Sequence, residues 1–334
     1  MDSSRVIQAI SNSFKLRIAI AVLVGIACGM LSWDQLIQRG YNASDFEWPL
    51  RASRVLLSGG NPYVEIVPVG EYPFNDWFNY PIISAVFSIP FTPLNDYYAG
   101  ALFFGLSSAV LAYAILTYRP YAWPVFFNPC FYVAASVAQW SPLLVGAALL
   151  PVGFRWILAL KPSLGAALYL RKPSIRGALV IAIVILASSV ILPSWIIDWI
   201  FRVTRISNHP SPVRILFPFT LIFLLGLFRW RTPEARLFLF LAIIPQLIFW
   251  YDQLPLWLIP RSWRSGVLYS MIAWVGFGLY RTALVKFSVR TMQNSVWSAG
   301  PFVILFVYIP ALIIVLHPLI KERAAALKQR ALQS

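Results

Sequence analysis

LRIAIAVLVGIACGMLSW, residues 16 to 33, is an apolar run with a single charge, Arg17. Its length is close to the roughly 20 residues that a helix needs to cross a bilayer. Working outward, Gly177–Pro193 and Ala299–Leu316 have the same character. The whole chain, 334 residues, is 59% hydrophobic and 12% charged. A soluble domain of this size carries about twice that charged fraction. The composition predicts an all-α polytopic membrane protein. Apolar runs of about 10 to 15 residues between the long ones read as buried or re-entrant segments, which a membrane tolerates where protein surrounds them.

The net charge of +15 does not point to nucleic acid, because of where the charge sits. Basic residues gather in short connectors: Arg171, Lys172 and Arg176, then Arg229, Arg231 and Arg236, then Arg261 and Arg264, and finally Lys321 to Arg330. That is the distribution of cytoplasmic loops. Arg5, Lys15 and Arg17 flank the first run, which predicts a cytoplasmic N-terminus and a retained anchor. The basic tail, 317–334, is expected on the same side. Cys28 and Cys130 lie in apolar surroundings and read as packing residues. With two histidines in the chain, a histidine-rich metal site is excluded. Walker-type loops, nucleophile elbows and CxxC pairs are absent from the sequence.

Residues 34 to 96 are the electrostatic opposite of the rest. They hold seven of the twelve acids (Asp34, Asp45, Glu47, Glu65, Glu71, Asp76 and Asp96) and three of the 27 basic residues (Arg39, Arg51 and Arg54). This segment is expected to face outward, with Pro81–Leu94 as a short re-entrant or surface helix. Tyr97–Thr117 returns, Ala122–Val137 crosses again, and 141–171 forms short pieces broken by Pro142, Pro151 and Pro162. Later crossings are read at Gly177–Pro193, Ile215–Phe228, Leu237–Trp250, Val267–Tyr280 and Ala299–Leu316. The expectation is one domain, 1–334, of about ten or eleven crossings, each near the length a bilayer requires.

Several polar residues in this pattern admit two readings. Asp45 precedes a short amphipathic segment, and an aspartate there is most often a helix cap. Glu47 fits a first-turn acid favoured by the helix dipole. Asp45 and Glu47 are also spaced to share a divalent cation, a weak signal with two carboxylates alone. Lys161, between broken helices, suits either a snorkelling side chain or a site cation. Arg202 and Arg205 read as a loop for lipid headgroups or as part of a site. His209, beside Pro210, is more often structural. Tyr251 and Asp252 fit a span end at the interface, and Tyr80 and Trp77 fit an aromatic belt or a sugar-stacking wall.

The order of certain motifs is more informative than any one of them. Asp45-Phe46 follows the first span, and Arg51-Ala-Ser-Arg-Val-Leu-Leu-Ser-Gly-Gly-Asn-Pro-Tyr63 comes next. Phe78-Asn-Tyr-Pro81 opens an apolar run, Gln139 opens a hairpin, and Lys161-Pro162 and Tyr251-Asp252 follow. Across residues 14 to 260 this order resembles the polyprenyl-phosphate-sugar-dependent glycosyltransferases of the GT-C superfamily. The likeness is greatest to glycosyltransferase family 87, which includes mannosyltransferases. The chain departs from that pattern at Tyr80-Pro81-Ile82, where the family usually has Tyr-Pro-Pro. It departs again at Ala138-Gln139, where Gly-Gln is common, and in a short hairpin between Gln139 and Lys161.

The resemblance implies a GT-C bundle in the plasma membrane of a prokaryote, with its site on the outer face. It implies transfer of a sugar, mannose first, from a polyprenyl-phosphate donor to a hydroxyl of a lipid or glycan acceptor, with inversion. Asp45 would be the general base. Lys161, with Arg51, Arg54, Arg202 and Arg205, would meet the donor phosphate. Glu47, Tyr63, Tyr80, Gln139, His209, Tyr251 and Asp252 would line the substrate site. No cofactor is required, and a divalent cation stays an open alternative. A transporter or flippase for a lipid-linked glycan is the rival reading, since proline-broken helices and intramembrane charges also suit transport.

Overall fold

Helix α1, Phe14–Arg39, fixes the frame. Ser13 caps its start, and Gly40, in the left-handed conformation, ends it. In this computed structural model, residues 13–68, 77–206, 210–246, 248–286 and 292–319 are described, without the side chains of 205–206 and 292–297. The basic tail from 320 onward, Glu71, Asp76 and His209 fall outside them. Every regular element among the described residues is helical.

α1 packs along α5, Asp96–Tyr118, through glycine. A Cβ on Gly105 of α5 would lie 2.8 Å from the Gly25 carbonyl oxygen and 3.2 Å from Gly29 Cα. Gly25 and Gly29 are one helical turn apart, so the two backbones meet directly, as membrane helices do at small-residue seams. The sequence signal for this contact was Gly25-Ile-Ala-Cys-Gly29, which the hydropathy reading did not use.

Between them runs the acid-rich segment. A tight 3₁₀ turn, Ser44–Phe46, leads into α2, Glu47–Leu57. α3, Pro62–Glu65, is a single turn capped by Asn61. α4, Ile82–Ser88, is short and mostly buried. Ser53 ties α2 to α4 by donating to the Ala85 carbonyl at 2.6 Å.

After α5, proline interrupts the next stretch of the chain, from Pro120 to Pro162. Residues expected as one crossing, 122–137, form a 3₁₀ stretch, Pro120–Phe126, and then α6, Pro129–Ala135. Pro124 and Pro129 lack the N–H that a continuous helix needs, and Asn128 caps the new start by accepting from the Phe131 N–H at 2.9 Å. α7, Ser141–Leu149, descends; a 3₁₀ run, Val152–Leu160, returns; α8, Pro162–Arg171, descends again. Each begins at Pro142, Pro151 or Pro162. This zigzag holds residues 139–140 and 161 at one level and 150–151 and 171 at the other. α9, Ile175–Ser188, and α10, Trp195–Ile206, follow, then a 3₁₀ run, Phe219–Arg229. α11 is Pro233–Ile243, and a buried 3₁₀ run, Trp250–Leu258, leads to α12, Trp263–Lys286. α13, Met292–Val303, continues through a wider turn at Ile304–Tyr308.

Among the described residues, four helices are long and apolar enough to cross a membrane: Phe14–Arg39, Asp96–Tyr118, Trp263–Lys286 and Ser298–Leu319. The runs Ile82–Phe91, Ile175–Ser188 and Phe219–Arg229 are apolar but shorter. Apolar side chains on α9 point away from the protein, Leu179, Ile183 and Leu186 among them. Such a surface is costly in water and natural in lipid, so the chain is membrane-embedded. Cys28 and Cys130 are free thiols, with Cys130 in the core.

Candidate active site

Phe46 determines where Asp45 sits. Its ring is fully buried, stacked on Phe103 at 4.0 Å and packed edge-on against Phe91 at 5.1 Å. The Asp45 N–H donates to the Val137 carbonyl at 3.0 Å, which joins the acid-rich segment to the end of α6. Ala43 and Phe46 hold the N-cap positions of this turn and of α2, neither with a side-chain cap, so the capping role that spacing suggests for Asp45 is not taken. The Asp45 carboxylate faces Gln139 instead.

Gln139 is presented by a strained turn. Ala138 has φ +43°, a left-handed conformation that costs a non-glycine residue roughly 1–2 kcal/mol. Asn42 and Ser44, on the other side of the contact, also have positive φ, +47° and +49°. The carboxamide nitrogen of Gln139 donates to Asp45 Oδ2. Its oxygen accepts from Lys161 Nζ at 3.1 Å and from the Trp140 N–H at 2.7 Å. Only this amide orientation satisfies all three, since the reverse would set oxygen against carboxylate.

Lys161 completes the chain of contacts. Its ammonium lies 2.9 Å from Asp252 Oδ1 and 5.7 Å from the centre of the Tyr251 ring. Lys161 immediately precedes α8, and Gln139 sits two residues before α7. Two helix N-termini therefore adjoin the lysine and favour an anion there. Tyr80 stands within electrostatic reach of both Asp45 and Asp252, as does Tyr251. The Tyr80 ring packs on Trp140 at 6.1 Å, and its carbonyl accepts from the Tyr63 hydroxyl at 2.9 Å.

Burial pushes the Asp45 carboxyl up to about 6; Lys161 opposes this, Asp252 adds to it, and the Gln139 hydrogen bond opposes it. A carboxylate with that affinity for protons is a competent base near neutral pH. Among the described residues, no group of three His, Cys, Asp or Glu side chains gathers as a metal site.

The structure thus brings together Asp45, Tyr80, Gln139, Lys161, Tyr251 and Asp252, with Tyr63 one contact behind. Glu47 lies apart. Its carboxylate engages the Ala43 backbone, and burial, then the neighbouring Asp96, raises it to about 7. Arg51 is within reach of Glu47, and Arg54 pairs with Asp96 at 2.7 Å. Arg202 donates to the Tyr63 carbonyl and lies 3.9 Å over the Trp77 ring. These contacts brace the acid-rich segment, away from the Asp45–Lys161 contacts. The side chain of Arg205 and all of His209 lie outside the described residues. Trp140 was missed in the sequence. Its backbone N–H orients Gln139 and its ring backs Tyr80, and its one visible signal was adjacency to Gln139.

The chain matches no protein-family model, no curated protein and no solved structure.

Proposed function

We propose that the protein is a membrane glycosyltransferase of GT-C type that moves a sugar, mannose first by resemblance, from a polyprenyl-phosphate donor to an acceptor hydroxyl. The observation that carries this reading is the relay Asp45–Gln139–Lys161–Asp252. It links a base with raised proton affinity to a cation at two helix N-termini. A buried polar network of this kind seldom improves stability over apolar packing, so its presence favours a chemical role.

The reaction needs two things at once. The attacking hydroxyl must lose a proton as its oxygen bonds to the anomeric carbon, and Asp45 takes that proton. As the bond from that carbon to the phosphate oxygen breaks, charge grows on the leaving polyprenyl phosphate. Lys161 and the first N–H groups of α7 and α8 stabilise it. Attack from the face opposite the phosphate inverts the anomeric centre. In the structure Lys161 is held by Asp252 and Gln139; the donor phosphate would take over part of that pairing. Tyr80 and Tyr251 offer ring faces and hydroxyls to the sugar. The acid-rich segment faces outward in this reading, and the basic connectors face the cytoplasm.

The test uses membranes containing the protein and polyprenyl-phosphate mannose labelled in the sugar. Transfer of label to an acceptor with release of polyprenyl phosphate supports the proposal. Movement of intact labelled donor across the membrane, without cleavage, would replace it with transport.

A further inference from the structure

A second cluster of charge lies at the far end of α8 from Lys161. Ten residues of helix separate the two, about 15 Å at the usual rise. Arg171 ends that helix, Arg119 follows α5, Arg155 comes early in the returning 3₁₀ run, and Lys172 is next in the chain. Arg119 and Arg155 are within electrostatic reach of both Arg171 and Lys172. Among the described residues, Glu234 is the one carboxylate that acts on Arg171 and Lys172. It is already shared, 3.4 Å from Arg119 and 3.0 Å from Arg261.

Arg171 is only 4% exposed, and its Nε is buried with no hydrogen-bond partner. One guanidinium nitrogen of Arg155, Nη1, is in the same condition. Buried cations that outnumber their counter-charges are expensive. Guanidinium forks match the oxygens of a phosphate, and lysine adds a point charge.

Beside these cations runs an open apolar groove between Tyr169 and the α9 residues Ile175, Ala178, Leu179 and Ala182. Gly177 joins the two features. A Cβ there would lie 3.4 Å from Arg155 Cγ and 3.3 Å from the Tyr169 ring. Tyr169, one wall of the groove, thus neighbours Gly177, and the stem of Arg155 lies on the other side of that glycine. Ile175 and Leu179 are exposed along the groove.

We infer that this recess binds an anionic phospholipid, its phosphate between Arg155, Arg171 and Lys172 and one acyl chain along the α9 groove. Charge complementarity selects the headgroup, and the apolar groove that adjoins the Arg155 stem through Gly177 and Tyr169 selects a lipid over a free anion. The inference does not depend on the chemistry at Asp45.

The full-length protein in a neutral detergent, melted with added phosphatidylglycerol, phosphatidylcholine or inorganic phosphate, tests it. Phosphatidylglycerol should raise Tm saturably by several degrees, and the other two should not at equal concentration. Arg155→Gln with Lys172→Gln should weaken the response at least tenfold. Because Lys172 is exposed, Lys172→Gln alone gives a folded variant with a smaller loss. Ala182→Trp, on the exposed groove wall, should also reduce the response while leaving the lipid-free Tm unchanged. An equal response to phosphatidylcholine, or an undiminished one in the double variant, overturns the site. An equal response to inorganic phosphate, or none lost in Ala182→Trp, overturns the lipid assignment.

Discussion

Lys161 and Asp252, 91 positions apart in the chain, form an ion pair at 2.9 Å with side chains 14% and 5% exposed. Removing one member leaves the other charged and buried, which typically costs about 3–5 kcal/mol. Lys161→Met should therefore lower Tm sharply, and Lys161→Met with Asp252→Asn should recover much of the loss. Sugar transfer should not recover with it. Both variants lacking Lys161 should lose at least about 100-fold, the usual scale for removing a group that stabilises developing charge. Thermal melts beside transfer rates separate the two roles.

The dependence of transfer on pH reports Asp45. With its carboxyl raised to about 6, kcat/KM should climb through pH 6 as the base ionises. Asp252→Asn removes a nearby negative charge, so the surviving activity should show this limb at lower pH. Gln139→Leu removes a hydrogen bond to the ionised form, so its limb should move to higher pH. A limb that stays in place in both variants would mean that another group sets it.

Glu47 should behave differently from Asp45. Its folded carboxyl is raised to about 7, above an unfolded value of about 4.3. The folded protein thus binds this proton more tightly than the unfolded chain. That stabilisation is full below about pH 4.3 and is lost as pH rises through 7. Glu47→Gln should melt higher than the parent at pH 8, with the gap closing toward pH 4.5. Melting curves at the two pH values decide it.

Much of the site was legible because its chemistry is local in sequence. Asp45 beside Phe46, Lys161 before Pro162 and Tyr251 beside Asp252 each carry their polar group next to a feature that fixes the backbone. Their convergence was not legible, since it depends on the zigzag of α7, the 152–160 run and α8. The spans were less legible. Hydropathy marks Ala122–Val137 as one continuous run, but Pro124 and Asn128-Pro129 divide it. Arg54 also read as a phosphate ligand, and its partner Asp96 is 42 residues away, beyond what spacing can reveal.

The glycine seam between α1 and α5 gives a test of the fold without touching the site. Gly105→Val should destabilise the protein by about 1–3 kcal/mol, the usual cost of overpacking. Its Cβ would meet the Gly25 carbonyl at 2.8 Å. Gly278→Ala, with nothing within 4 Å of the new methyl, should be neutral. Equal melting of the two would show that the helices do not meet at this seam.

Asp45→Asn tests the central claim most directly, because it keeps the shape of the side chain and removes the base. The measurement is sugar transfer from labelled polyprenyl-phosphate mannose in membranes holding equal amounts of parent and variant. A loss of about 10²–10⁴-fold, the range of general base catalysis, with Tm held or raised, is the predicted result. Undiminished transfer by Asp45→Asn would contradict the account.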